Sequence, residues 1–233
     1  MRTLSSDEDN VWDSRKPNTE CIFFQRPDFL RCFREIEESP PPKRPGIYGF
    51  YFHKRIPYLP VENSFFERRW LRKWRLLYIG LGSDLSMRIL QMHFKGNASS
   101  SSLRLHLGCL LCTELKICLF KLPIETEGKY RYTFGEEGEH RLTKWLIQYA
   151  RVAWIETEHY IDREKEAIHR YVPPLNIEYN PKYFGPLSLF TSRMHCIAEP
   201  VGNSPQWHRV REAYDEFVRE AEQEQYKVLP DEV

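Results

Sequence analysis

Two short runs of β-forming residues limit what this chain can fold into more than any other feature. Gly46-Ile-Tyr-Gly-Phe-Tyr-Phe52 follows Pro45 and is rich in aromatic and β-branched side chains. Leu76-Leu-Tyr-Ile-Gly80 has the same character. Both read as strands. The second leads straight into a helix signal, with Ser83 as cap, Asp84–Phe94 as body and Gly96 on the C-terminal side. Strands followed by helices predict an α/β (α+β) arrangement, a small central β-sheet flanked by helices.

The rest of the chain supplies those helices. Leu103–Leu111 and Glu139–Ala150 are predicted helical, Glu114–Leu122 and Val152–Ile155 extended, and Tyr160–Tyr171 helical up to Pro173-Pro174. A short helix over Pro27–Glu38 stops at Ser39-Pro-Pro-Pro42. Near the C-terminus, Ser204 and Pro205 open an amphipathic helix with Trp207, Val210, Tyr214, Phe217 and Ala221 on one face. This divides the 233 residues into an N-terminal extension with a Pro-rich linker (1–44), a central domain (45–180) and a C-terminal helical extension (181–233). The terminal helices are expected to pack on the domain or to mediate a homodimer. Hydrophobic residues make up 41% of the chain and aromatics 14%, enough to bury a core. No apolar run has the length of a membrane helix, and the polar N-terminus has no apolar signal region, so a cytoplasmic protein with no membrane partner is expected.

The formal charge of +1 hides a polarity. Residues 45–110 hold ten Lys/Arg and three acids, whereas residues 209–233 hold four Lys/Arg and eight acids. The basic part contains both strand motifs, where a phosphate backbone would be attracted. Cys109 and Cys112 form a C-x-x-C without the second pair a zinc ribbon needs, inside the apolar stretch LGCLLC, so packing is the expected role. Gly80-Leu-Gly82 lacks the third glycine of a dinucleotide fingerprint, where Leu85 stands.

The helix Ile161–Ile168 singles out one acid. Glu164 shares a stripe with Ile161, Ile168 and Tyr171, while Asp162 and Glu166 are turned away by about 200°. A carboxylate on an apolar stripe is costly unless paired or bound to a cation. It is therefore a metal-ligand candidate, with an ion pair to a buried arginine as the alternative.

Pro-Gly-Ile-Tyr48, Leu-Tyr-Ile-Gly80, Asp84-Leu-Ser-Met-Arg88, the later His93 and Glu164 followed after eleven residues by Asn176 in Pro-Pro-Leu-Asn occur in this order. Together they resemble the GIY-YIG nuclease superfamily over about residues 45–180. Gly96-Asn-Ala, Leu103–Leu111 and Arg151-Val-Ala-Trp-Ile155 are similar to an uncharacterised bacterial branch of it. The resemblance implies a metal-dependent endonuclease acting on DNA, with RNA left open as substrate, and a site made of Tyr48, Tyr78, Arg88, His93, Glu164 and Asn176. Glu164 would hold one hard divalent cation, Mg2+ or Mn2+. Arg88 would stabilise the phosphorus-centred transition state, and Tyr48 would serve as general base. Tyr78 would hold the phosphate or the water, Asn176 would orient the site, and His93 would donate to the leaving oxygen or bind phosphate. Lys95 and Arg104 are expected DNA contacts. A non-catalytic DNA-binding module with the same fold, or a cysteine-based zinc or redox protein, are the alternatives.

Two departures from the family pattern matter. Residues 49–77 separate the tyrosines by 29 positions, a long spacer with the basic-aromatic stretch FFERRWLRKWR. Arg68, Arg69, Arg72 and Lys73 there are either DNA contacts or the solvated face of an amphipathic helix packed by Phe65, Phe66, Trp70 and Trp74. His93 lies five residues after Arg88 where the family commonly has four, a displacement of about 100° on an ideal helix.

Overall fold

A computed structural model of the chain describes residues 30–56, 58–59, 74–126, 128–182 and 184–228. In order these form α1 (Phe33–Glu38), β1 (Gly46–Phe52), β2 (Arg75–Gly82), a π-helix (Met87–Phe94), a 3-10 turn (Ala98–Ser100), α2 (Ser102–Leu110), α3 (Cys112–Leu115), β3 (Phe120–Pro123), β4 (Tyr130–Thr133), α4 (Gly135–Tyr149), β5 (Ala150–Glu156), α5 (Tyr160–Tyr171), α6 (Gly185–Ile197), β6 (Glu199–Pro200) and α7 (Trp207–Val228). Two small sheets flanked by helices make the expected α/β fold.

The main sheet is antiparallel in the order β2-β1-β5. All seven residues of β1 are buried, because helices cover both faces of this central strand. That is why its sequence is a continuous apolar run rather than an alternation. Tyr48, Phe50 and Phe52 join the larger core with Leu107, Leu142 and Trp145. Ile47 and Tyr51 belong to a second core with Ile79, Ala153 and the α5 residues Ala167, Ile168 and Tyr171.

Both outer edges of this sheet are capped at their middle, which hinders pairing with a further strand. Arg31 exchanges backbone hydrogen bonds of 2.9 and 3.0 Å with Val152 on β5. On β2, the Leu175 amide donates to the Leu77 carbonyl at 2.9 Å, and the Asn176 side chain brackets Ile79.

The C-terminal helices close the larger core. Leu187, Phe190 and Met194 of α6 and Val210, Ala213, Phe217 and Ala221 of α7 are all in it. Arg193 ties α6 to α7 through Glu216 and Glu220. Of the face expected for α7, Val210, Phe217 and Ala221 are buried, while Trp207 is largely exposed. No helix among the described residues is long and apolar enough to cross a membrane.

Several local expectations are corrected. Among the described residues the first helix begins at Phe33, because Arg31 is spent on pairing with β5. Glu114 and Leu115 end helix α3 rather than start a strand; Lys116 takes a left-handed φ of 53°, and the strand begins only at Phe120. The cap of the helix after β2 is Asp84, whose Oδ1 accepts the Met87 amide at 2.8 Å, not Ser83. Ile161 is exposed, not part of the buried stripe of α5. Helix α6 and strands β4 and β6 had no clear sequence signal.

Candidate active site

The site begins with a cross-strand pair. Tyr48 on β1 stands opposite Gly80 on β2, and its ring lies across that glycine. A Cβ at Gly80 would come within 2.3 Å of the Tyr48 hydroxyl, so the strand must have no side chain there. Tyr78, two residues earlier on β2, lies on the same face, with its ring centroid 6.5 Å from that of Tyr48.

The helix after β2 brings in the next two residues. It is a π-helix, and the Lys95 amide reaches back to the Leu90 carbonyl at 3.0 Å, an i to i−5 bond. Such a turn takes up one more residue than an α-turn. The five-residue step from Arg88 to His93 is therefore a single π turn, and the displacement expected of an ideal helix does not occur. His93 Nε2 lies 2.5 Å from the Tyr48 hydroxyl. Its Nδ1 lies 2.7 Å from Ser101 Oγ. Both ring nitrogens of His93 are engaged, by Tyr48 and by Ser101, so the expectation that it donates to the leaving oxygen or binds phosphate is corrected: its partner is Tyr48.

The serine-rich stretch read only as a polar loop holds the site together. The Ser100 carbonyl accepts from Arg88 Nη1 at 3.1 Å, Ser101 Oγ meets His93, and Ser102 Oγ is 2.9 Å from the Tyr78 hydroxyl. Consecutive residues thus steady three of the expected site residues. Ser101 was missed by sequence reasoning, although its spacing before α2 is that of an N-cap.

Asn176 acts as a substitute strand. Its Oδ1 accepts the Ile79 amide at 2.9 Å and its Nδ2 donates to the Ile79 carbonyl at 2.8 Å. Only a carboxamide matches a peptide group in this way, with donor and acceptor side by side. It fixes β2 next to Tyr78.

Glu164, on α5, is half-buried and receives no hydrogen bond or ion pair from the described residues. It is close enough to Arg88, Tyr48 and Tyr78 for their charges to influence one another.

The family model for the GIY-YIG catalytic domain matches residues 46–186, from the first residue of β1 into the start of α6. The chain belongs to the GIY-YIG family. Neither the curated proteins nor the solved structures give a match. A GIY-YIG domain is a nuclease-type domain, which implies a nucleic-acid substrate.

The electrostatics of this GIY-YIG site follow from burial. Burial pushes the Tyr48 phenol well above its usual range; Tyr78 adds to the rise and Arg88 opposes it. Burial also raises Tyr78, against the Ser102 hydrogen bond and Arg88. His93 is held well below its usual range by burial, with Arg88 and Arg104 adding to the effect, so it is neutral. Burial pushes Glu164 up to about 7, with Arg88 pulling down and Glu178 pushing up.

Two expected DNA contacts of the GIY-YIG domain have other partners. Arg104 has no exposed surface. Its guanidinium bonds Glu139 Oε2 at 2.6 and 3.1 Å, the His93 carbonyl at 3.0 Å and Thr143 at 3.1 Å. It is a strut holding the end of the π-helix, and the expectation that it touches DNA is overturned. Lys95 is partly exposed but pairs with Glu37 at 2.8 Å. Arg68, Arg69, Arg72 and Lys73 lie outside the described residues. Cys109 and Cys112 are core residues, and burial pushes Cys112 up to about 12, the reverse of what a metal-binding or redox thiol needs.

Proposed function

We propose that the protein is a metal-dependent endonuclease that hydrolyses DNA phosphodiester bonds. The observation that carries this reading is a half-buried carboxylate without a bonded partner among the described residues, Glu164, set among Arg88 and two buried phenols. A carboxylate and two phenol oxygens form a hard donor set, which fits a single Mg2+ or Mn2+ ion that keeps most of its water. Glu164 would hold it. Such an ion supplies positive charge that polarises the phosphate and favours ionised oxygen ligands.

The residues of the chain do the rest. Arg88 bonds the Ser100 carbonyl and Met92 Sδ through Nη1, and its remaining guanidinium N–H groups bind the phosphate oxygens where negative charge builds up. Tyr48, once ionised, takes the proton of the attacking water. Its high pKa in the free protein keeps the base protonated until a cation is in place. Tyr78, held by Ser102, presents its hydroxyl beside the same phosphate.

The test is nicking of supercoiled plasmid with Mg2+, with and without EDTA, extended to single-stranded and branched DNA and to RNA. Cleavage that needs the ion and disappears in Glu164→Ala supports the reading. Retained cleavage by purified, folded Glu164→Ala would remove Glu164 from it. Binding of DNA without any cleavage would reduce the protein to a binding module.

A further inference from the structure

Four residues other than glycine take a positive φ among the described residues, and three of them have a visible reason. Lys116 and Val172 are the left-handed caps that end α3 and α5. Tyr58 packs its ring on Tyr214 and Phe217 of α7. Tyr179 is the exception. Its φ is 58°, a conformation that strains a bulky residue. It is also 56% exposed, so burial of the ring does not offset that strain. The turn is nevertheless fixed. Buried Asn180 donates through Nδ2 to the Pro173 and Asn176 carbonyls at 3.0 Å each, and its Oδ1 accepts the Lys182 amide at 3.0 Å. The loop starts at Asn176, which is bonded to β2 beside Tyr78.

The neighbours of Tyr179 place it at the rim of the site. Lys165 Nζ stands over its ring, 5.1 Å from the centroid. Lys165 follows Glu164 on α5, and its charge acts on that carboxyl, as does the charge of Glu178, the residue before Tyr179. Lys54 and Lys95 pair with Glu114 and Glu37, whereas Lys165 is exposed and makes no ion pair with a described residue. A flat ring with a cation across one face leaves the other face for a planar partner. A nucleic-acid substrate brings such a partner in its bases. Paired bases present their edges to a protein, so a face is on offer only where a base is unpaired. We propose that Tyr179 is a stacking platform for an unpaired base of a DNA strand running past Glu164, with Lys165 taking a backbone phosphate of that strand, so that the protein prefers single-stranded or branched DNA to plain duplex. The proposal rests on the nuclease reading above and names the form of DNA that the site takes.

Fluorescence anisotropy in EDTA, with labelled single-stranded, branched and blunt duplex oligonucleotides of one sequence, separates binding from cleavage. The parent should bind single strands more tightly than duplex. Tyr179→Gly removes the ring and suits the backbone, so it should melt no lower than the parent. It should still lose about five- to a hundredfold in affinity for single strands, and less than about twofold for duplex. Tyr179→Phe keeps the ring and should keep the affinity. Lys165→Gln should weaken binding to every DNA and reduce the salt slope by about one. Unchanged single-strand affinity in Tyr179→Gly overturns the proposal, as does an equal loss on duplex or a parent that does not favour single strands. Ring-dependent binding by a parent protein that cuts nothing with Mg2+ would leave the Tyr179 assignment standing and overturn the nuclease reading instead. Cleavage of single-stranded and branched DNA that Tyr179→Gly leaves unchanged would do the reverse.

Discussion

The molecule contains two arginine–glutamate combinations that differ in what surrounds the carboxylate. Glu139, on α4, accepts from Arg104, from the amides of Ala98 and Phe134 and from the Thr133 hydroxyl. Every direction around it is filled, and it joins the serine segment, α2 and α4 into one block. Glu164 stands near Arg88 with no such set of donors among the described residues, and its carboxyl is pushed up to about 7. A saturated carboxylate has no coordination left for anything from outside. An unsaturated one, held partly out of water, is in a state that a cation would relieve. On the function proposed above, the difference separates a structural pair from a chemical one where sequence offers two Glu residues on two helices.

Removing one partner of the saturated pair should have the largest effect on stability. Glu139→Ala leaves Arg104 charged, buried and unpaired, and should lower unfolding free energy by about 3–5 kcal/mol in urea titration. A loss below about 1 kcal/mol would mean that water replaces the pair readily. At the unsaturated pair the effect should fall on rate instead. Arg88→Ala should reduce nicking by about a hundred- to a thousandfold, with an unfolding curve close to that of the parent. If Arg88→Ala unfolds the protein, the contrast between the two pairs fails.

The smallest expected effect has a definite sign. The folded protein holds the Glu164 proton at about 7, above the ordinary 4.5, so it binds that proton more tightly than the unfolded chain. Below about 4.5 both states are protonated and Glu164 does not affect stability. As pH rises to about 7 the unfolded chain ionises first, stability falls, and the penalty is constant above that. In EDTA, Glu164→Gln should therefore gain stability relative to the parent through this window and keep the gain at pH 8. Thermal melts at pH 4 and pH 8 would show it; an equal offset at both would place the effect elsewhere.

Much of this arrangement was legible in the sequence, for physical reasons. The strands of the main sheet announced themselves through β-branched and aromatic runs, and Tyr160–Tyr171 through its periodicity and the prolines beyond it. Tyr48, Tyr78, Arg88 and Glu164 could be named because each belongs to a motif tied to one element. Arg104 was misread because a basic residue in a positive stretch gives no sign of being buried; its partner Glu139 lies 35 positions away. The serines were passed over because a polar run looks the same whether it is solvated or bonded. The five-residue spacing of His93 looked like a fault because an ideal helix was assumed, and the π turn removes it. Helix α6 went unseen because its opening Gly-Pro and scattered serines carry little amphipathic pattern.

The edge cap at Asn176 has a consequence for the order of synthesis. Asn176 follows Ile79, the residue it brackets, by 97 positions. At ordinary elongation rates that interval lasts about 5–20 s. During it the nascent chain already carries Tyr48, Tyr78 and Arg88, but β2 is open along one side and Glu164 arrives only near the end. On the function proposed above, a truncated chain ending before residue 164 would hold both tyrosine motifs without the carboxylate assigned to the cation, so the activity would wait until most of the chain has been made.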